Sequence, residues 1–384
     1  MTNQTLFLCG GKNRYFRGVI INKNIVLTVI ALLVVSGLGI AYYYAPNSSI
    51  TTGGNTTITD MVGRTVTLPN DIQSVIATSP PMTSMVFMLA PDKLGGLNFQ
   101  WTDEEKKYVD SKYQTLPVVG GWFGRQDGSY EEIISMHPDV VIEGAMGDVD
   151  LDSVNERQDK FGTIPVIGVT DNSDITQIVS SLDFMGKLLG EEDRANKLIE
   201  FTNKYLDKAE SVSNSIPDNE KKRVYYAEGT EGLQTDPNGS LHSQLIDIVG
   251  GKNIADVQLQ NGTGQVGVSI EQVIKWNPEV IITTDADFYK KVYNDPKWES
   301  ISAVKNKEVY LSPQSPFNWF DRPPGANIII GIPWTAKVIY PDKYSDINLK
   351  EEVKVFYKEF YHYDLSDNEL NDLLKSSGLK EENM

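Results

Sequence analysis

Two stretches of the chain, 140 residues apart, repeat one order of polar and apolar positions. SYEEIISMHPDVVIEG occupies residues 129–144 and SIEQVIKWNPEVIITT occupies residues 269–284, and six of the first fourteen positions are identical. Each stretch begins with a serine suited to cap a helix and reaches a proline that ends it. A β-branched run follows, as in a strand buried in a parallel sheet. The pattern therefore predicts the same helix–strand unit twice.

A second pair of segments shares another order of elements. VIATSPPMTSMVFMLAPDKLGG begins at residue 75, and VYYAEGTEGLQTDPNGSLHSQLIDIVGG begins at residue 224. Each reads as a strand, a loop, a helix and a pair of glycines. Alternating strands and helices predict an α/β protein with parallel sheets covered on both faces. We place the N-terminal lobe at residues 60–170 and the C-terminal lobe at residues 217–341.

The segment between the lobes, residues 171–216, has apolar residues at helical spacing from Ile175 onward. This predicts a connecting helix, either one long helix or two in series with a bend at Gly190. A helix that belongs to only one lobe is the alternative. Residues 342–384 are predicted to form C-terminal helices that pack on the core.

The N-terminal region has a different character. Residues 24–45, NIVLTVIALLVVSGLGIAYYYA, carry no charge, and a helix of this length spans roughly 30 Å, one bilayer core. Basic residues within 1–23 favour a cytoplasmic N-terminal segment. We interpret residues 24–45 as a transmembrane anchor, with a cleaved signal sequence as the alternative. Residues 46–59, rich in Ser, Thr, Gly and Asn, are predicted to be a flexible tether that holds the binding domain outside the cytoplasm, at the cell membrane.

Composition excludes several classes of function. A net charge of −17 argues against nucleic-acid binding, which needs a basic surface. The chain has three histidines and one cysteine, and it contains no HExxH, no G-x-S-x-G and no P-loop motif. We therefore predict a protein that is not an enzyme and needs no cofactor.

Six features in chain order carry a resemblance to a known family. They are VVGGWFG, SYEEIISMHPDVVIEG, the long connector, EGLQTDPNGSLHSQLIDIVGGKNI, SIEQVIKWNPEVIIT and AVKNKEVYLSP. Residues from about 57 to 378 resemble the substrate-binding proteins of ABC importers for iron complexes, the helix-linked group that binds ferric siderophores, haem and cobalamin. The resemblance implies a periplasmic-binding fold with a helical backbone, in which two Rossmann-like lobes with parallel sheets are joined by a long α-helix.

The resemblance also implies a function and partners. The protein is expected to capture a metal chelate and deliver it to an ABC permease dimer with its ATPase subunits. In this family an acidic residue of each lobe meets arginines of the permease, and the matching residues are Glu131 and Glu271 of the repeated stretches. A position in the first turn of a helix also suits glutamate for purely local reasons. A surface-anchored receptor or adhesin ectodomain without a transport role is the alternative function.

Ligands of open α/β sheets bind beyond the carboxyl ends of the strands. The loops GGWFGR and SPFNWFDRPPG should reach this place and offer aromatic rings and arginines, which suit a flat, anionic metal complex. Our candidate ligand-binding residues are Trp122, Phe123, Arg125, Glu228, His242, Trp319 and Arg322.

Two of these candidates have alternative roles. Arg322 follows Asp321 and is equally suited to an internal salt bridge. His242 is the one candidate for direct contact with a chelated metal, against an exposed histidine at a helix start as the alternative. The pattern does not distinguish siderophores, haem, cobalamin and nickel or iron chelates as the ligand.

Overall fold

The computed structural model describes four stretches of the chain: residues 54–124, 126–144, 149–259 and 264–384. The predicted cytoplasmic segment, the predicted anchor, most of the predicted tether and Arg125 lie outside the described residues. Across these four stretches, no helix combines the length and the apolar character that a membrane crossing requires.

The N-terminal lobe contains a β-hairpin and a three-stranded parallel sheet. The hairpin pairs β1 (Asn55–Thr59) with β2 (Thr65–Pro69) in antiparallel register. The sheet has the order β3 (Val75–Ala77), β4 (Val140–Glu143) and β5 (Val166–Gly168), and all its strands are parallel.

Helices connect the strands of this lobe: α1 (Pro80–Leu89), α2 (Tyr130–Ser135) and α3 (Leu151–Phe161). Helix α2 begins at the predicted place, because Ser129 Oγ accepts a hydrogen bond from the backbone N–H of Glu132 at 3.2 Å.

Two helices in series form the connector, α4 (Ile178–Leu189) and α5 (Glu192–Asn214). Gly190 ends α4 in the left-handed region, with φ of +68°, where a glycine carries no side-chain penalty. Helix α4 packs on α1 of the N-terminal lobe. Helix α5 packs on helices of the C-terminal lobe, so the connector joins both lobes.

The C-terminal lobe has a four-stranded parallel sheet and a small antiparallel pair. Its strands are β6 (Arg223–Ala227), β7 (Gln234–Thr235), β8 (Lys252–Asn253), β9 (Val266–Gly267), β10 (Val280–Thr283) and β11 (Val309–Leu311). The parallel sheet has the order β11-β10-β6-β8, and β7 pairs with β9.

The helices of this half are α6 (Gln244–Ile248), α7 (Ile270–Trp276), α8 (Ala286–Lys291), α9 (Ser302–Lys305), α10 (Gly331–Ile339), α11 (Leu349–Phe360) and α12 (Asp367–Ser376). Short 3-10 turns lie at Pro91–Lys93, Glu105–Tyr108, Ser111–Tyr113, Asp218–Glu220, Val292–Asn294, Ala326–Ile328 and Glu381–Asn383.

Both parallel sheets are buried on both faces. Successive side chains of a strand point to opposite sides, so each strand contributes to two apolar clusters. In β4, Val140 and Ile142 join the main apolar core, while Val141 joins a smaller cluster on the other face. Strand β10 divides its residues in the same way. The main core runs through both lobes and takes in α11 and α12. The predicted α/β class with two parallel-sheet lobes and a helical connector is confirmed.

Candidate functional site

The carboxyl end of the C-terminal sheet gathers five charged or titratable side chains, which we call the C-lobe cluster. Glu228 follows β6, Asp236 follows β7, and His242 precedes α6, while Asp321 and Arg322 lie in the loop after β11. Because parallel strands end at the same edge of a sheet, loops far apart in sequence meet here.

Arg322 lies at the centre of this cluster. Its Nε donates to Glu228 Oε1 at 2.8 Å and its Nη2 donates to Asp236 Oδ2 at 2.9 Å. The third carboxylate, on Asp321, lies 3.4 Å from the same Nε. The side chain of Arg322 is 30% exposed, whereas those of the three acids are exposed by 2% or less. One face of the guanidinium is therefore open and the rest is enclosed by carboxylates.

His242 is held from beneath by Asp321. Its Nδ1 lies 2.6 Å from Asp321 Oδ1, and Tyr226 donates its hydroxyl to Asp321 Oδ2 at 3.0 Å. In the tautomer that donates its Nδ1 proton to Asp321, the ring leaves Nε2 as an acceptor. The histidine is buried, with 3% of its surface exposed, so the alternative of an exposed histidine is wrong.

Glu228 has the clearest titration anomaly of the cluster. Burial raises the pKa of its carboxyl to about 9, although the charge of Arg322 acts in the opposite direction. The neighbouring Asp236 carboxylate raises the pKa further, because two close negative charges repel each other. At neutral pH the carboxyl of Glu228 therefore holds a proton.

In the N-terminal lobe, the loop before α2 is aromatic and glycine-rich. The backbone N–H of Trp122 donates to Thr78 O at 2.9 Å, which ties this loop to the carboxyl end of β3. Gly121 has φ of +155°, and a Cβ atom there would lie 2.1 Å from Thr78 O, so only glycine fits this approach.

Trp122 itself is half-buried by its own lobe. Its ring lies 4.4 Å from that of Tyr130, and the guanidinium of Arg157 lies 3.9 Å from the indole centroid. Arg157 Nε in turn donates to Glu143 Oε2 at 2.9 Å. The tryptophan is thus fixed by a cation–π stack and keeps only part of its surface for a ligand.

Phe123 makes an edge-to-face pair with Phe99, with ring centroids 5.1 Å apart. Phe99 is 54% exposed, an unusual degree for so large an apolar side chain. Our sequence reasoning missed Phe99, although an aromatic residue in a loop that follows the first strand–helix unit is a detectable signal.

Loops of the two lobes meet at the start of α1. Gly325, three residues after Arg322, lies against Pro81, where a Cβ atom on the glycine would come within 3.1 Å. Thr78, three residues before Pro81, accepts the backbone hydrogen bond of Trp122. The Arg322 loop and the Trp122 loop therefore both contact the segment that joins β3 to α1.

Comparison with known proteins decides the family. A model of the family described as periplasmic binding protein matches residues 75–316. The chain belongs to this family.

Related proteins agree with this assignment. The binding protein is similar to the ABC transporter substrate-binding lipoprotein YvrC of Bacillus subtilis, with 25% identity over 296 residues, 76% of this chain and 87% of YvrC. It is equally similar to the molybdate-binding protein MolA of Haemophilus influenzae, with 25% identity over 329 residues, 79% of this chain and 90% of MolA.

A solved structure supports the same conclusion. An ABC transporter solute binding protein from Sulfurospirillum deleyianum is 33% identical, with a TM-score of 0.77, and the match covers 83% of this chain and 99% of that one. The protein is therefore a substrate-binding protein of the ABC transporter type, as the sequence predicted.

The binding protein brings only some of its predicted site residues together. Glu228, His242 and Arg322 meet in the C-lobe cluster, whereas Trp122 and Phe123 lie on the N-terminal lobe, in the loop tied to Thr78. The predicted internal salt bridge of Arg322 with Asp321 is present, but Arg322 also binds Glu228 and Asp236. Arg125 lies outside the described residues.

Trp319, a predicted ligand-binding residue, lies inside the protein. It is fully buried, and its ring centroid lies 6.1 Å from that of Tyr357 in the core. Gly331 leaves the room for it, because a Cβ atom there would lie 1.7 Å from Trp319 O. The indole supports the loop that carries Arg322 and presents no surface to the cleft in this conformation.

The binding protein exposes Glu131 and Glu271 in the first turns of α2 and α7. Ser129 and Ser269 cap the two helices in the same way, with 3.2 Å hydrogen bonds from backbone N–H groups. The two glutamates therefore occupy equivalent places on the two lobes.

Proposed function

We propose that this binding protein captures a metal complex with an organic shell, such as a ferric siderophore, and delivers it to an ABC permease dimer with its ATPase subunits. One observation carries the proposal: the loop that carries Arg322 and the aromatic loop of the other lobe both contact the segment that joins β3 to α1. A ligand that fits both sides has a polar, metal-bearing part and an apolar part.

The charge of the cluster argues for a metal-bearing ligand over a bare oxyanion. MolA is named for molybdate, but here the guanidinium of Arg322 is already enclosed by Glu228, Asp236 and Asp321. An oxyanion would have to compete with these carboxylates. A metal centre with an open position is instead a partner for a ring nitrogen of His242.

The aromatic side supplies contact area for the organic shell. Phe99 and Phe123 form a projecting apolar pair, and Trp122 is held rigid by Arg157. Rigid rings give broad contact at a low cost in side-chain entropy.

A fluorescence-quenching screen tests the ligand class. The purified protein is titrated with ferric siderophores, haem, cobalamin and nickel chelates, and its own tryptophans report binding. We expect saturable quenching by at least one class. Absence of binding across all four classes would refute the proposed ligand.

We propose that Glu131 and Glu271 dock on the permease. Their exposure and equivalent positions on the two lobes support this role. The double variant Glu131→Ala plus Glu271→Ala should abolish uptake in cells while ligand affinity of the purified protein stays unchanged. The variant Glu132→Ala plus Glu279→Ala is a control that removes two other acidic groups. Normal uptake by the docking variant would refute the role.

We also propose that residues 24–45 anchor the protein in the membrane. The predicted tether 46–59 is too long at its C-terminal end, because Asn55–Thr59 form β1 and pair with β2. The uncharged run of the sequence supports the anchor. Membrane fractionation after deletion of residues 1–45 checks it. We expect the full chain in the membrane fraction and, if the deleted form is exported by a substitute signal, its release from the membrane.

A further inference from the structure

Three side chains of the C-lobe cluster lie close enough together to hold one metal ion. One ligand atom from each of Asp236, His242 and Asp321 lies within 4.8 Å of the others, and all three residues are buried. An imidazole nitrogen with two carboxylate oxygens is a donor set that divalent zinc, cobalt and nickel accept. Three protein ligands also leave further coordination positions open for an exogenous group.

The cluster has a surplus of negative groups. The carboxylates of Asp236 and Asp321 alone outnumber the guanidinium of Arg322 by one charge, and both side chains are fully buried. Buried carboxylates need a cation, since water does not solvate them there. Arg322 supplies one positive charge at the place where the carboxylates converge, which is the place a metal ion would take.

Two unpartnered polar atoms next to these ligands form an independent observation. Glu228 Oε2 and Thr235 Oγ1 are buried and have no hydrogen-bond partner within the part of the chain that the structure describes. Glu228 contacts the same guanidinium as Asp236, and Thr235 immediately precedes Asp236. Water or another donor bound to a metal ion would satisfy such acceptors, as outer-sphere partners do in metal sites.

Arg322 is the member of the cluster with access to solvent. Its side chain is 30% exposed, against 4% or less for the other four members. Its backbone has φ of +44°, a conformation that an arginine rarely adopts, so its loop holds some strain. A divalent ion brings twice the charge of the guanidinium to the same carboxylates, and the released arginine can extend into the cleft.

We propose that Asp236, His242 and Asp321 bind a divalent transition-metal ion directly, and that Arg322 occupies the cation position until the metal displaces it. The inference rests on the proposed function, because the same cleft is involved, and it narrows the ligand to complexes whose metal has open coordination positions. The freed guanidinium then binds anionic oxygens of the chelating shell.

Metal titration of the purified full-length protein tests the inference. Zinc chloride binding is followed by calorimetry, and cobalt chloride binding is followed by its visible absorption, which reports nitrogen and oxygen ligands. We expect one ion per protein. The variants Asp236→Asn and Asp321→Asn should each weaken binding tenfold or more, while Arg322→Gln should tighten it at least tenfold because the competing cation is gone.

Controls separate the site from general effects. Asp103→Asn removes a fully exposed carboxylate of the other lobe and should leave metal binding unchanged. Thermal unfolding without zinc shows whether each variant is folded. With zinc, the melting temperature of Arg322→Gln should rise more than that of the wild type, because this variant should bind the metal more tightly. Equal zinc affinity in wild type, Arg322→Gln and Asp236→Asn would overturn the inference.

The two proposals fail separately. A protein that binds a chelate in the quenching screen but no zinc or cobalt, with unchanged chelate affinity in His242→Asn, refutes the direct metal site and leaves the proposed function intact. A protein that binds zinc at this site but none of the four chelate classes refutes the proposed ligand and leaves the metal site intact.

Discussion

The two lobes share one arrangement of strands and helices, but the loops at the carboxyl ends of their sheets carry different side chains. In each half an arginine pairs with a glutamate that ends or follows a strand, Arg157 with Glu143 and Arg322 with Glu228. Arg157 has one carboxylate partner and stacks on Trp122. Arg322 has three carboxylate neighbours.

The difference lies in the loops and not in the sheets. Both parallel sheets are formed by strands rich in β-branched residues and buried on both faces, so their cores have similar composition. The loop before α2, which is tied to the carboxyl end of β3, carries glycines and aromatic rings. The loops after β6 and β11 carry acids and a histidine. A shared scaffold can therefore offer an apolar side and a charged side to one ligand.

Removal of each arginine is the strongest way to test this comparison. Arg322→Ala leaves the buried carboxylates of Asp236 and Asp321 without their cation, so we expect a loss of about 3 kcal/mol in unfolding free energy, towards the low end for a broken buried pair because Arg322 is partly exposed. Arg157→Ala strands Glu143 alone and should cost roughly half as much. Urea unfolding without metal measures both, and equal losses would contradict the contrast between the lobes.

Acid pH tests the burial of His362, a histidine that lies between the C-terminal helices α11 and α12. His362 Nε2 lies 3.0 Å from Phe87 O, and burial, aided by the charge of Arg194, lowers the pKa of the histidine from 6.5 to about 4. The unfolded chain then binds more protons below pH 6.5, so stability is full above that pH and falls towards pH 4. The loss at pH 5 should be about 2 kcal/mol.

Unfolding midpoints at pH 7 and pH 5 check this expectation. His362→Gln should lose less stability between the two pH values than the wild type. His137→Asn, which changes an exposed histidine, should keep the full wild-type difference. An acid response in His362→Gln as large as that of the wild type would show that other groups cause it.

The contribution of the aromatic loops to ligand binding is tested at Phe99, their most exposed aromatic residue. Phe99→Ala removes the ring that pairs with Phe123, and we expect about a tenfold weaker affinity for the ligand found in the screen, the worth of one aromatic contact. Val355→Ala changes another exposed apolar side chain, on α11 far along the chain, and should leave affinity unchanged. Equal affinity in Phe99→Ala and wild type would remove this pair from the site.

The smallest effect is expected where the connector meets the C-terminal helices. Lys204 Nζ lies 2.7 Å from Glu352 Oε1, yet the lysine side chain is 57% exposed. Lys204→Ala should therefore change the unfolding free energy by less than about 1 kcal/mol. Lys297→Ala, an exposed lysine elsewhere, is the reference. A larger loss would mean that ion pairs, and not the buried face of α5, hold the two lobes to their connector.

Much of this architecture was predictable because it depends on local periodicity. The repeated capping serines, the β-branched strands and the bend at Gly190 each follow from residues within one or two turns. The rule that ligands lie beyond carboxyl ends also directed attention to Glu228, His242 and Arg322.

The remaining site residues could not be predicted in this way. Asp236 lies in TDPNG, which reads as an ordinary turn, and its bond to Arg322 joins residues 86 positions apart. Trp319 reads as an exposed loop residue, but Tyr357 of a later helix buries it. Such contacts depend on which distant elements pack together.

The sequence by itself determined the alternation of strands and helices, the twofold repeat and the helical connector, because these depend on side-chain patterns only a few residues long. Only the tertiary structure decided that three acids, a histidine and an arginine share one buried place. The physical reason is that a buried charge is stable only beside its partners, and those partners come from separate loops that the folded sheet alone brings together.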